Sequence, residues 1–299
     1  MTPTRAGRHD RLAAWLVLAS LAAAYIPILV RLARQWLNDE NASHGLIVAP
    51  LAVWLIWRAR ARWRASTVAP SQIGLVVLFG SLAAYAAGML GAELFLARVS
   101  LVGVAAGAVL YIWGWRHLRL IVFPLTLFAL AVPLPAILLN QITFPLQLVA
   151  SRVGEAAISA GGIPVLREGN VLMLADTTLE VAEACSGIRS LVSLVTLAVV
   201  AAYFRGGRTA GGVALVLLAL PIAVAANAAR VAGTGIAAHV WGTSAAEGFF
   251  HTFSGWLVFG VAATLMVVAE RLIVIVERRT ARRAAPDAKA LEVSCAPAP

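Results

Sequence analysis

Apolar residues run in long blocks along this chain, and charged residues fall almost wholly between them. Blocks of about 17–25 apolar residues have the length that crosses a bilayer as helix. Eight occur, at roughly 12–32, 44–60, 72–90, 94–113, 118–134, 185–204, 210–231 and 251–273. Basic clusters alternate with them. Arg5, Arg8 and Arg11 precede the first block, and Arg58, Arg60, Arg62 and Arg64 separate the second from the third. Arg116 and Arg119 lie between the fourth and fifth, Arg205 and Arg208 between the sixth and seventh, and Arg278, Arg279, Arg282 and Arg283 follow the eighth. Every second connection is basic, which assigns these connections and both termini to the cytoplasm. Arg31, Arg34 and Arg98 are exceptions on the other face, each either balanced or isolated. The pattern therefore predicts an all-α polytopic membrane protein of about eight transmembrane helices, with both termini cytoplasmic. The first block reads as a retained span, because no small-residue cleavage site ends it and Tyr25-Ile26-Pro27-Ile28 continues it.

Of the outward connections, about 33–43, 91–93, 135–184 and 232–250, the third is much the longest. Pro133-Leu134-Pro135 opens it and interrupts any helix, an amphipathic or partly embedded helix is predicted over 141–160, and Gly161-Gly162 ends that helix. Alternating apolar residues around turns at Glu168-Gly169-Asn170 and Asp176-Thr177 then predict a small periplasmic β-meander before the sixth span. Residues 1–279 form one transmembrane domain in this reading, and 280–299, rich in Ala, Arg and Pro, a disordered cytoplasmic tail.

Composition agrees with the membrane reading. The chain of 299 residues is 61% hydrophobic and 13% charged, with mean hydropathy +0.86, whereas soluble domains are about half apolar and about a quarter charged. The net charge of +10 sits in the interspan clusters. It therefore points to anionic lipid headgroups and away from nucleic acid. Two cysteines, Cys185 and Cys295, make no disulfide framework.

Candidate chemistry gathers at three places. Glu183-Ala184-Cys185-Ser186-Gly187-Ile188-Arg189 sets a cysteine where the sixth span starts, with Arg189 one turn later. A helix N-terminus and a guanidinium both favour the thiolate, the nucleophilic form. A small apolar core cysteine fits the same residues. Arg230 lies near the outer end of the seventh span, with Asn227 three residues earlier on the same helical face. Snorkelling to the interface competes with a functional role for it. His251 opens the eighth span, where a solvated cap is the plain alternative. The predicted topology puts Cys185, Arg230 and His251 at one depth on the outer face. Nucleophile, cation and imidazole are the parts of covalent acyl transfer. Before the second span, Trp36, Asp39, Glu40, Asn41, Ser43, His44 and Gly45 form either a capped helix start, with Ser43 or Asn41 as N-cap, or part of a substrate site. No metal-binding motif is present in the HExxH sense, and no cofactor is expected.

With Glu183 to Arg189, Asn227-Ala228-Ala229-Arg230, Phe250-His251-Thr252-Phe253-Ser254-Gly255-Trp256, Ser43-His44-Gly45 and Gly162 to Asn170 in place, the chain resembles the exosortase/archaeosortase family of membrane cysteine transpeptidases. The resemblance implies Cys185, Arg230 and His251 as the catalytic residues; Arg189, Asn227, Glu183 and His44 are read beside them as supporting residues. It also implies exported substrates with a C-terminal PEP-CTERM-like signal, an acyl acceptor at the cell surface whose identity stays open, a link to exopolysaccharide production, and a bacterial inner membrane location with the site facing the periplasm. Two other readings are weighed against it. A transporter or export component for polysaccharide predicts polar residues at several depths, whereas here they gather at one face. A serine intramembrane protease using Ser186 or Ser254 leaves Cys185 and Arg230 without roles.

Overall fold

The computed structural model describes residues 5–175, 178–181, 188–206, 209–242 and 249–284, without the side chains of 5–18, 22, 209, 249–252 and 281–284. The chain divides into two compact units, 1–135 and 136–299.

In the first unit, helices α1 (Arg5–Asn38), α2 (Gly45–Arg58), α3 (Arg60–Ala65), α4 (Ile73–Leu90), α5 (Leu94–Ile112) and α6 (Trp115–Leu130) follow one another. Helices α4 and α5 pack on each other as a tight hairpin. Its seam is made by glycines: a Cβ on Gly107 would lie 2.7 Å from the Leu78 backbone nitrogen, and one on Gly88 the same distance from that of Ala97. Small residues at such seams let membrane helices approach closely enough to gain dispersion contact, since lipid supplies no hydrophobic drive. On α1, Tyr25 is buried and its hydroxyl meets Ser100 of α5 at 2.8 Å.

The second unit opens with α7 (Ala136–Ala160) and a three-stranded antiparallel meander, β1 (Val165–Glu168), β2 (Val171–Leu174) and β3 (Thr178–Glu180). Glu168 pairs with Val171 across a two-residue turn, whose Gly169 takes the left-handed φ of 62° that a tight hairpin demands. Leu172, Leu174 and Val181 are buried on one face of the sheet and pack on Ala150 and Ile158 of α7. Helices α8 (Ile188–Phe204), α9 (Thr209–Trp241) and α10 (Phe249–Ala284) complete the unit. Leu194 and Ala198 of α8, Leu215, Ala219 and Ala223 of α9, and Ala262 and Met266 of α10 form their shared core.

The chain is thus mainly helical with one small sheet, and the predicted meander forms where expected. A helix lies over each of the eight apolar blocks, but the count of eight spans does not follow from their lengths. Among the described residues, four helical stretches are long and apolar enough to cross a membrane: Ile73–Leu90, Leu94–Ile112, Ala210–Trp241 and Phe253–Thr280. Helices α2, α6 and α8 have 14, 16 and 17 residues. At 1.5 Å per residue each reaches about 21–26 Å, short of the ~30 Å hydrocarbon core. Three boundaries also shift. Helix α7 starts at Ala136, directly after Pro135, and not at 141. The linker after the second block folds into α3. Helix α10 runs on through Ala284, so the expected disordered tail from 280 begins as helix, and 285–299 lie outside the described residues.

Candidate active site

The second unit positions the candidate site through α9. This helix carries the buried Asn227, 4% exposed, and one turn later the half-buried Arg230. Next to Arg230, Val231 packs into the core that holds the meander against α7. A Cβ on Gly154 of α7 would lie 2.9 Å from Val231 and 3.4 Å from Leu172. One turn further along α9, a Cβ on Gly235 would touch Ile158 at 2.5 Å and Leu179 at 3.5 Å. The side of α9 immediately beyond Arg230 is therefore docked on the sheet.

Arg230 itself turns to α10. Its Nε donates to Ser254 Oγ at 3.4 Å, and its guanidinium covers Gly255, where an added Cβ would stand 3.6–3.9 Å from three guanidinium atoms. Ser254 and Gly255 follow position 251 by three and four residues, the spacing that puts helix positions on one face. The face of α10 that receives Arg230 is thus the face that carries position 251 in its first turn. Sequence reasoning grouped Arg230 with His251 but missed Ser254 as the arginine's partner. The i, i+3 spacing from His251 was the available signal.

Val181, which follows β3, is 2% exposed; its N–H donates to the Asn170 carbonyl at 2.9 Å, and Asn170 Nδ2 donates back to the Val181 carbonyl at 3.3 Å. Ile188, 4% exposed, starts α8, and α8 packs on α9 and α10. Cys185 and Glu183 fall between these two anchors and lie outside the described residues, as does Cys295. Arg189 is exposed in the first turn of α8. It is engaged by neighbours, as Asn227, Arg230 and Ser254 also are.

His44 belongs to the first unit. Its Nε2 meets the Leu130 carbonyl at 3.1 Å, and Trp36 Nε1 donates to the Ala131 carbonyl at 2.8 Å. Together they satisfy carbonyls that the end of α6 leaves without helical partners. Gly45 is required here, because a Cβ would overlap the Trp36 indole. The proposed caps at Ser43 and Asn41 do not form. His44 itself is the N-cap residue of α2 and makes no side-chain cap bond. Ser43 Oγ instead donates to the Glu40 carbonyl at 2.8 Å. Among the described residues no three His, Cys, Asp or Glu side chains lie together as a metal site.

Away from this end, Arg205 closes the α8–α9–α10 bundle. Its side chain is 7% exposed, with Nη2 2.8 Å from Glu277 and Nη1 3.6 Å from Glu270.

A family model described as transmembrane exosortase (Exosortase_EpsH) matches residues 36–268, which include every residue of the candidate site. No curated protein and no solved structure matches the chain.

Proposed function

Since the chain belongs to the transmembrane exosortase family, we propose that it is a membrane cysteine peptidase or transpeptidase with Cys185, Arg230 and His251 as its catalytic residues. The observation that carries this reading is the double docking of α9 around Arg230. On one side α9 holds the meander that ends at Val181. On the other, Arg230 reaches the α10 face that carries position 251. In sequence, Cys185 comes four residues after Val181 and three before Ile188. Both anchors belong to structure packed on α9.

In this mechanism the Cys185 thiolate adds to the scissile carbonyl carbon, and Arg230 stabilises the oxyanion through its forked donors. The C–N bond then breaks, and the leaving amine takes a proton from the His251 imidazolium. An acceptor amine or water next gives its proton to His251, adds to the thioester and expels the thiolate. Arg189 supports the anion by charge near the start of α8. The substrates in this reading are exported proteins whose C-terminal PEP-CTERM-like signal includes a hydrophobic helix. Such an anchor presents the scissile bond at the periplasmic face of the inner membrane, the side on which the charge alternation of the connections sets the site in this reading.

The test is Cys185→Ala co-expressed with a tagged substrate at matched protein level. Loss of signal cleavage with normal membrane insertion is expected, and Cys295→Ala should cleave normally. Wild-type cleavage by Cys185→Ala contradicts the proposal.

A further inference from the structure

Arg98 is a cation set inside the first unit, and nothing in the cysteine chemistry uses it. It lies one turn into α5 and is 6% exposed. Among the described residues its buried Nε has no hydrogen-bond partner. Burying an ionised group without a partner is costly, in membrane as in protein. The side chain of a helical residue leans toward its own N-terminus, so Arg98 leans to the start of α5, where the helix dipole is also positive. Arg31, exposed near the end of α1, is close enough to repel Arg98, and Glu93 close enough to attract it. The Glu93 carboxylate also accepts the Leu96 N–H at 2.9 Å as the N-cap of α5. Arg31 and Arg98 are also two of the three arginines that break the charge rule for the loops.

We propose that Arg98, with Arg31 near it, binds a phosphate group at the end of the first unit where α1 finishes and α5 begins. A guanidinium matches phosphate oxygens with parallel N–H donors. A phosphodiester offers the negative oxygens that such a guanidinium pairs with. The exposed apolar residues at this end of the hairpin, Met89 and Leu90, suit the hydrocarbon beside it. The headgroup of an anionic phospholipid is therefore the natural source, and free phosphate the alternative one.

The experiment follows thermal unfolding of the full-length protein in detergent micelles, titrated with phosphatidylglycerol, with phosphatidylcholine or with inorganic phosphate. The wild type should gain stability with phosphatidylglycerol and not with phosphatidylcholine. An equal gain from inorganic phosphate makes free phosphate the occupant and keeps the site. Arg98→Gln should need about ten- to a hundredfold more phosphatidylglycerol for the same gain, the loss of a charge-assisted hydrogen bond. Arg62→Gln, in the basic linker, should behave as wild type. Should Arg98→Gln not fold, the exposed Arg31→Gln decides, with weaker lipid dependence expected. Equal stabilisation by both lipids, or an unchanged phosphatidylglycerol titration in the variants, overturns the proposal, as does no response to either phosphatidylglycerol or phosphate.

Discussion

At the scale of single residues, the two arginines flanking the cysteine region separate into different roles. Arg230 is half-buried, aimed at α10 and paired through Nε with Ser254, while Arg189 is exposed at the start of α8. Lysine keeps charge but loses the planar fork, so Arg230→Lys should lose about 10²–10³ in processing rate. Arg189→Lys should keep much of it, because a point charge still favours a thiolate. Initial rates at matched protein level check this, and the reverse order exchanges the two roles. Ser254 and Gly255 give a second test. Ser254→Ala removes the 3.4 Å contact to Arg230 and should retain processing, which a serine nucleophile could not. Gly255→Ala has room for its Cβ, whereas Gly255→Leu must displace the guanidinium and should abolish cleavage. Arg230 and Asn227 were legible in the sequence because polar residues in an apolar block stand out by cost alone. Ser254 and Asn170 were not, because serine and asparagine at helix starts and turns are ordinary there and only the fold reveals their partners.

At the scale of elements, periodicity and turn chemistry carried far. The meander, its glycine turn and the helix ended by Gly161-Gly162 all follow from residue type. Helix lengths did not, because an apolar block shows where burial in lipid is tolerated and not where the backbone stops being helical. Block 44–60 contains both α2 and the start of α3, and the break at Ala59 has no glycine or proline to announce it. Two element contacts are open to measurement. Gly107→Ala puts a methyl against the Leu78 backbone and should cost about 1–3 kcal/mol of stability in denaturant unfolding. Insensitivity to that methyl would mean that the α4–α5 seam is looser than described. Arg205→Ala strands two carboxylates at the far end of the second unit and should destabilise by a few kcal/mol, about the cost of breaking a buried pair. Adding Glu277→Gln should recover part of that loss, and no recovery would assign the effect to lost packing instead.

At the scale of the whole molecule, the sequence established a mainly helical membrane protein and its family, while the span count and sidedness rest on charge alternation. Reporter fusions after about residues 65, 165, 207, 245 and 285 should read in, out, in, out, in. An inside reading at 165 would separate the meander and its neighbours from any exported substrate. Sidedness in turn decides whether an anchored substrate can meet the nucleophile, and covalent attack by that nucleophile is the central claim. The most direct measurement is mass spectrometry of the Cys185 peptide after incubation of the purified enzyme with a substrate carrying the sorting signal. The account predicts the substrate's acyl fragment on Cys185 as a thioester, released by neutral hydroxylamine and absent from Cys185→Ser. Processing that proceeds while Cys185 stays unmodified, or an acyl group on a serine instead, would contradict it.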